Sequence, residues 1–365
     1  MQFTTIKEQK IWIHTKRIHY LDSIRGIASV TVVFAHLASV YAEETFFKTS
    51  VQSLGRSAVI LFFLLSGLSL SISLMKRPTA QFGLREYIAY LVKRFTRIYT
   101  PFLIVLLLSE FLFLLIQPEK IAGVSDQFNK IGTITNWSLF SENMFMTGNN
   151  VSLLNPVIWS LIIEIRLSIL FPFLFFFVSY WRIPAFIFLL IASFMLGTIL
   201  LYALGNQFLI GQTFFHTGFF TLGIGLSLFW NQLNKIPKKW LFPLIFISCL
   251  LYFHVIFLVL FKIKNVQFIS DIVIGIGSTG ILIVCTQSKS IQRFLTYVVY
   301  LQLGKISFSL YLVHSVVLIL MLRILSPFLS IIVIELISIP IIFSISYFCY
   351  LIIENPTKLI GQYLR

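Results

Sequence analysis

Charge is what this chain of 365 residues has least of. Asp, Glu, Lys and Arg together make up 11%, against 58% hydrophobic residues, and only 13 side chains are acidic. No soluble domain of this length hides so much apolar surface in one core, so the scarcity of charge excludes a soluble protein and leaves a polytopic membrane protein. Cysteine is nearly absent too. Cys249, Cys285 and Cys349 all lie in apolar runs, without metal spacing or a paired framework, and read as core side chains; neither a disulfide scaffold nor a metal site is expected. Internal repeats, low-complexity tracts and the inverted repeats typical of transporter folds are not evident. What the chain does carry is base: 28 Lys and Arg and a net charge of +15. Nucleic acid is not the partner this implies, because the basic residues fall in short clusters between apolar runs, where they set membrane topology.

At about twenty residues per crossing, the apolar runs predict an all-α chain of about ten transmembrane helices. They lie near 21–41, 54–75, 98–117, 154–178, 183–204, 213–231, 241–261, 266–287, 303–323 and 327–352, with Gly and polar residues interrupting the sixth and eighth. Residues 1–20, with Lys7, Lys10, Lys16 and Arg17, resemble a signal-peptide n-region, but the apolar stretch that follows is too long and contains Arg25, so an uncleaved first span is expected. Nineteen Lys and Arg fall on one side of this topology and seven on the other. The positive-inside rule makes the richer side cytoplasmic, with both termini in the cytosol and the protein in a cell membrane. A single domain covers the chain, with a cytosolic arm at 1–20, a cytosolic tail at 353–365 and no appended soluble domain. The longest external segment, 118–153, mixes Gly, Asn, Ser and Thr with Trp137, Phe140 and Phe145. A loop of that length ordinarily covers a site or touches a partner. Asn136 and Asn150 open glycosylation sequons, which matter only in a eukaryotic secretory setting.

The residues the bilayer should not welcome are the functional candidates. Arg25 and His36 are eleven residues apart in the first span, so helical geometry puts them on one face, about 16 Å apart, with Arg25 near the cytoplasmic edge and His36 in the outer half. Glu164 lies about 15 Å below the external edge of the fourth span, His314 near mid-membrane in the ninth and Glu335 about 12 Å from the outside in the last. Four titratable groups from four spans therefore share one slab. Lys93, Arg94 and Arg97 sit at the cytoplasmic mouth of the third span, as a topology signal or as phosphate-binding cations beside Arg25. Other signals have plain explanations. Gly275-Ile-Gly-Ser-Thr-Gly280 matches a dinucleotide fingerprint as a string but lies inside an apolar span, where small residues serve close helix packing. Ser57, Ser66 and Ser69 are expected to bond back to their own helix.

Several of these residues fall in an ordered set of blocks: Tyr20-Leu-Asp-Ser-Ile-Arg25-Gly-Ile with the ten-residue gap to His36, Phe62-Phe-Leu-Leu-Ser-Gly67, and Arg94-x-x-Arg97 before Tyr99-x-Pro101. Trp159-Ser-Leu-x-x-Glu164, Ser307-x-Ser-Leu-Tyr-Leu-Val-His314 and Glu354-Asn-Pro356 complete it. The set resembles the acyltransferase 3 family of integral-membrane acyltransferases, many of which O-acetylate cell-surface polysaccharides. The resemblance implies a ten-span domain that takes acetyl from cytoplasmic acetyl-CoA, with no permanently bound cofactor, and delivers it to an extracytoplasmic acceptor. It also implies that Arg25, His36, Arg94 and Arg97 serve donor binding or transfer. The additional C-terminal esterase-like domain that some members carry is not expected here.

Chemistry assigns the roles within that frame. Arg25, Arg94 and Arg97 suit the phosphates of coenzyme A, and its pantetheine arm would thread toward His36. A neutral imidazole is tolerated in low dielectric, which favours His36 as the base that takes the acceptor hydroxyl's proton. An acyl-histidine intermediate is the other route. Glu164 would orient or charge-balance the imidazole, Trp159 would stack on a sugar ring, and His314 would touch substrate or simply bond a neighbouring helix. The expected partners are acetyl-CoA, a surface polysaccharide or lipid-linked sugar, and membrane lipid. A transporter or flippase for a polysaccharide precursor, and a non-catalytic subunit of a polysaccharide machine, are the competing readings.

Overall fold

The computed structural model describes residues 18–76, 82–116, 119–133, 137–147, 153–204, 209–264 and 266–363. The expected N-terminal arm through Arg17, Arg77, Arg365 and the sequon asparagines Asn136 and Asn150 lie outside the described residues.

Apolar stretches become helices, and the punctuation between them sets where each begins. Helix α1 (His19–Ser39) carries Asp22 in its first turn, where a carboxylate meets the positive end of the helix dipole. Helix α2 (Phe46–Met75) starts at Thr45, whose hydroxyl accepts the Lys48 N–H at 3.1 Å. Helix α3 (Leu84–Leu115) starts at Gly83, whose N–H donates to Glu86 at 3.0 Å. Two short helices, α4 (Asp126–Lys130) and α5 (Trp137–Met144), occupy the long connection that follows. Then come α6 (Ile158–Trp181), α7 (Ile183–Leu204), α8 (Leu209–Leu228), α9 (Leu241–Tyr252), α10 (His254–Leu260), α11 (Gln267–Gln287), α12 (Val298–Leu325) and α13 (Ile331–Cys349). A π-helical turn at Tyr350–Glu354 leads into α14 (Asn355–Tyr363). No strand is present among the described residues, and the protein is an all-α polytopic membrane protein.

Among the described residues, eight helices are long and apolar enough to cross a membrane: α1, α2, α3, α6, α7, α11, α12, and α13 with its continuation to Leu359. Taken as one broken span, the pair α9 and α10 makes a ninth, bent by 48° at Phe253 within the stretch predicted to cross near 241–261. Helix α8 falls short on composition, yet its 20 residues span about 30 Å. It is buried nearly all round among α2, α6, α7 and α11. Facing protein and not lipid, it tolerates Thr213, Thr217 and Thr221, each of which donates its hydroxyl to the carbonyl four residues earlier. Helix α3 begins at Leu84, well before the expected residue 98, because Tyr87 and Tyr90 donate to the Ile169 and Ser168 carbonyls of α6 and hold the basic stretch helical. Arg94 and Arg97 consequently lie well inside a helix and not at its mouth.

Two close approaches set the framework. A Cβ on Gly26 would sit 2.6 Å from the Gly304 backbone nitrogen, and one on Gly304 would sit 2.6 Å from the Asp22 carbonyl oxygen. Helices α1 and α12 therefore touch backbone to backbone, as small residues allow inside a membrane. Ten residues further along each, His36 faces His314. The equal steps mean that α1 and α12 run parallel and in register over about 15 Å. The second approach joins Gly67 of α2 to Phe220 of α8, where a Cβ would sit 2.8 Å from the Phe220 Cα. Gly277 of α11 packs on the α9 backbone in the same manner, the packing role its string suggested.

Candidate active site

One end of the bundle is basic. A cavity of about 600 Å³ opens there between α1, α2, α3, α6, α12 and the turn into α14. This is within the size range of small-molecule sites, roughly 300–1,000 Å³. Among the described residues its walls carry six basic side chains, Arg25, Lys76, Lys93, Arg94, Arg97 and Lys358, against three acidic ones, Asp22, Glu164 and Glu354. That balance makes the interior a focus for polyanions.

Arg25, Arg94 and Lys358 are held in place by hydrogen bonds and ion pairs. Arg25 pairs with Asp22 at 3.2 Å, donates to the Leu65 carbonyl at 3.0 Å and also bonds the Ser69 hydroxyl. Arg94 reaches Glu164 at 3.1 Å and the Ser168 hydroxyl at 3.0 and 3.1 Å. Ser66 donates to the same Glu164 oxygen at 3.1 Å. Ser66 and Ser69 thus bond across helices and not back to their own, because the charged side chains of Glu164 and Arg25 reach them from α6 and α1; of the three only Ser57 bonds back, to Ser53. At the cavity floor Glu354 accepts both the amide and the hydroxyl of Ser309, at 3.1 and 2.6 Å, and pairs with Lys358. The inner end is closed by Tyr311, whose hydroxyl shares a 2.6 Å bond with Ser160 and whose ring meets Phe62 at 5.5 Å.

Beyond Tyr311 stand the two imidazoles. Tyr311 and His314 have ring centres 6.1 Å apart, and His36 and His314 5.0 Å. Neither imidazole is among the side chains lining the cavity. The long connection roofs them: Phe128 lies 6.3 Å from the His36 ring, Ser125 donates its N–H to Val40 at 2.7 Å, and Ala42 donates to Gly123 at 2.9 Å. Asn155 grips α12 on both sides of His314, donating to the Leu312 carbonyl at 3.0 Å and accepting from Ser315 at 2.7 Å.

The slab of four titratable groups divides accordingly. His36 and His314 meet. Glu164 belongs to the cavity, where Arg94 and Ser66 hold its carboxylate, and not to the imidazole of His36. Glu335 accepts from Tyr41 at 2.9 Å at the opposite end. Equal depth gave no information on which way each helix turns its face. Trp159 is edge-on to Phe63 and His216, at 6.2 and 5.7 Å, within an aromatic cluster. Sequence reasoning passed over Asn155, Ser160, Ser168 and His216. Only Asn155 had a local signal, the Asn-Pro turn ahead of a span.

The fold and the site define a class: a helical membrane protein with a cation-rich cavity at one end and, just past its inner wall, two imidazoles in contact, His36 part-buried and His314 buried. The family model described as an acyltransferase domain matches residues 18–353, so the chain belongs to that family and is a membrane acyltransferase. Comparison with curated proteins and with solved structures gives no match.

Proposed function

We propose that the protein transfers acetyl from cytoplasmic acetyl-CoA to a hydroxyl of an extracytoplasmic polysaccharide or its lipid-linked precursor, in a cell membrane with the basic end in the cytosol. The observation that carries this reading is the cavity with six basic side chains that ends one helical turn short of His314. Coenzyme A is a polyanionic nucleotide on a long neutral arm. Arg97, Arg94 and the lysines at the mouth suit the phosphates, with Arg25 deeper along the arm's path. Tyr311 and Phe62 stand between the cavity and His36, so the thioester passes them to react.

In the reaction, His36 takes the proton of the acceptor hydroxyl while that oxygen bonds the thioester carbonyl carbon. The carbon–sulfur bond then breaks, the acetyl stays on oxygen, and the proton passes to the leaving sulfur. Glu164 acts one step back: it holds Arg94 in the donor's path, a role different from steadying the imidazole. Trp159 is the residue proposed to contact a sugar ring.

The test compares acceptor polysaccharide from cells carrying the wild-type gene, a deletion, and His36→Ala. Loss of a base-labile acetyl mass with export intact, in both the deletion and His36→Ala with normal membrane levels, supports transfer. Loss of export supports the transporter reading, and full acetylation in His36→Ala removes the base assignment.

A further inference from the structure

The rings of His36 and His314 touch, and each has one buried nitrogen without a hydrogen-bond partner among the described residues. His314 is wholly buried, and its Nδ1 lies 2.9 Å from the Leu310 carbonyl oxygen. A carbonyl only accepts, so Nδ1 of a neutral His314 carries the proton and Nε2 keeps the lone pair. That Nε2 is buried without a partner among the described residues, and so is Nδ1 of His36. Two orphaned nitrogens buried at one ring contact are costly unless they serve each other.

We propose that His314 is a positioning residue for His36, accepting a hydrogen bond from His36 Nδ1–H at its own Nε2. The proposal rests on the reading of His36 as the base. Geometry supports it: an in-line N–H···N bond near 2.9 Å, with each nitrogen ~1.1 Å from its ring centre, puts the centres about 5 Å apart, and they are 5.0 Å apart here. The planes are inclined by 57°, and the proposed bond requires the His36 ring to turn about its Cβ–Cγ bond until the two nitrogens face each other. The bond fixes the tautomer. With the proton on Nδ1, the lone pair of His36 sits on Nε2, the atom that then takes the acceptor's proton. A triad carboxylate orients its histidine by the same logic, but a carboxylate also steadies the imidazolium. A neutral His314 brings no charge into the membrane and does so at no ionic cost.

The backbone around His314 is built to hold it. Leu310 anchors its Nδ1, and Asn155 bonds α12 at Leu312 and Ser315, on either side of it. The parallel packing of α1 and α12 through Gly26 and Gly304 sets the register that brings the two imidazoles level. Contact with substrate, the role the sequence suggested for His314, is disfavoured by its complete burial.

The experiment measures acetyl transfer in membranes with wild type, His314→Phe and His314→Gln. The glutamine places an oxygen acceptor near the position of Nε2; the phenylalanine fills the space and accepts nothing. Expected are a fall of about 100-fold in kcat with donor KM unchanged for His314→Phe, and recovery to within about tenfold of wild type for His314→Gln. Undiminished kcat in His314→Phe overturns the proposal, as does an equal loss in both variants or a loss confined to KM. Should either variant fail to reach the membrane, 15N-histidine spectra of the wild-type protein decide: the Nδ1–H tautomer of His36, assigned by its absence in His36→Gln, supports the pair, and the Nε2–H tautomer refutes it. Failure here is distinct from failure of the reading beneath it. In the first case wild type transfers acetyl and His36→Ala does not; in the second, wild type transfers none or His36→Ala transfers as well as wild type.

Discussion

Arg94 and Arg97 sit one turn apart on α3 and line the same cavity, but a change at each removes something different. Arg97→Ala takes a cation from the donor's path, and the expected result is a rise of about tenfold in the apparent donor KM with kcat little changed, since a charge-assisted bond is worth about 1.5–3 kcal/mol. Arg94→Ala also strands Glu164, which is only 23% exposed. Breaking such a pair from one side costs on the order of 2 kcal/mol, so Arg94→Ala lowers the unfolding temperature in detergent as well as donor affinity. Adding Glu164→Gln removes the stranded charge and recovers part of that stability; a double variant less stable than Arg94→Ala alone contradicts the pairing.

At the scale of elements, the contact between α1 and α12 decides whether the site exists. Gly26→Val pushes a side chain into the backbone of α12 at Gly304, where nothing flexible can yield. Overpacking of this kind costs about 1–3 kcal/mol. The protein should therefore unfold at lower temperature and lose transfer together, because prising α1 from α12 also parts His36 from His314. Phe34→Leu, on an exposed position of the same helix, serves as the control and should change neither. A Gly26→Val protein of wild-type stability shows that the helices do not meet there. The roofing connection follows the same reasoning. A long polar segment at 118–153 was expected to cover a site, and α4 with its flanks lies across His36 through Phe128.

For the whole molecule the open quantity is orientation. The basic end holds the cavity, and the proposed function puts that end in the cytosol, as the charge bias of the loops predicts. With the native cysteines replaced, Lys120→Cys should react with a membrane-impermeant maleimide on intact cells, and Lys235→Cys only after permeabilisation. The reverse pattern turns the cavity outward, away from any cytosolic thioester, and defeats the proposed donor.

How much of this was legible in the sequence differs by level. Composition required a membrane protein, and apolar runs of about twenty residues required helices, because a barrel strand is shorter and alternates apolar with polar residues. The ordered motifs resembled the right family, and helical periodicity correctly set Arg25 and His36 on one face. Helix boundaries were less legible where tertiary bonds outweighed hydropathy, as with the early start of α3 held by Tyr87 and Tyr90. Which polar groups meet was not legible at all. Rise per residue gave each a depth, but the azimuth of each helix and the order of helices in the membrane plane come from long-range packing at contacts such as Gly26 on Gly304 and Gly67 on Phe220. Glu164 and Glu335 share a slab with His36, and only the tertiary structure gave the first to Arg94, the second to Tyr41, and His314 to His36. A chain encodes depth locally, residue by residue; it encodes neighbours only through the packing of helices far apart along it.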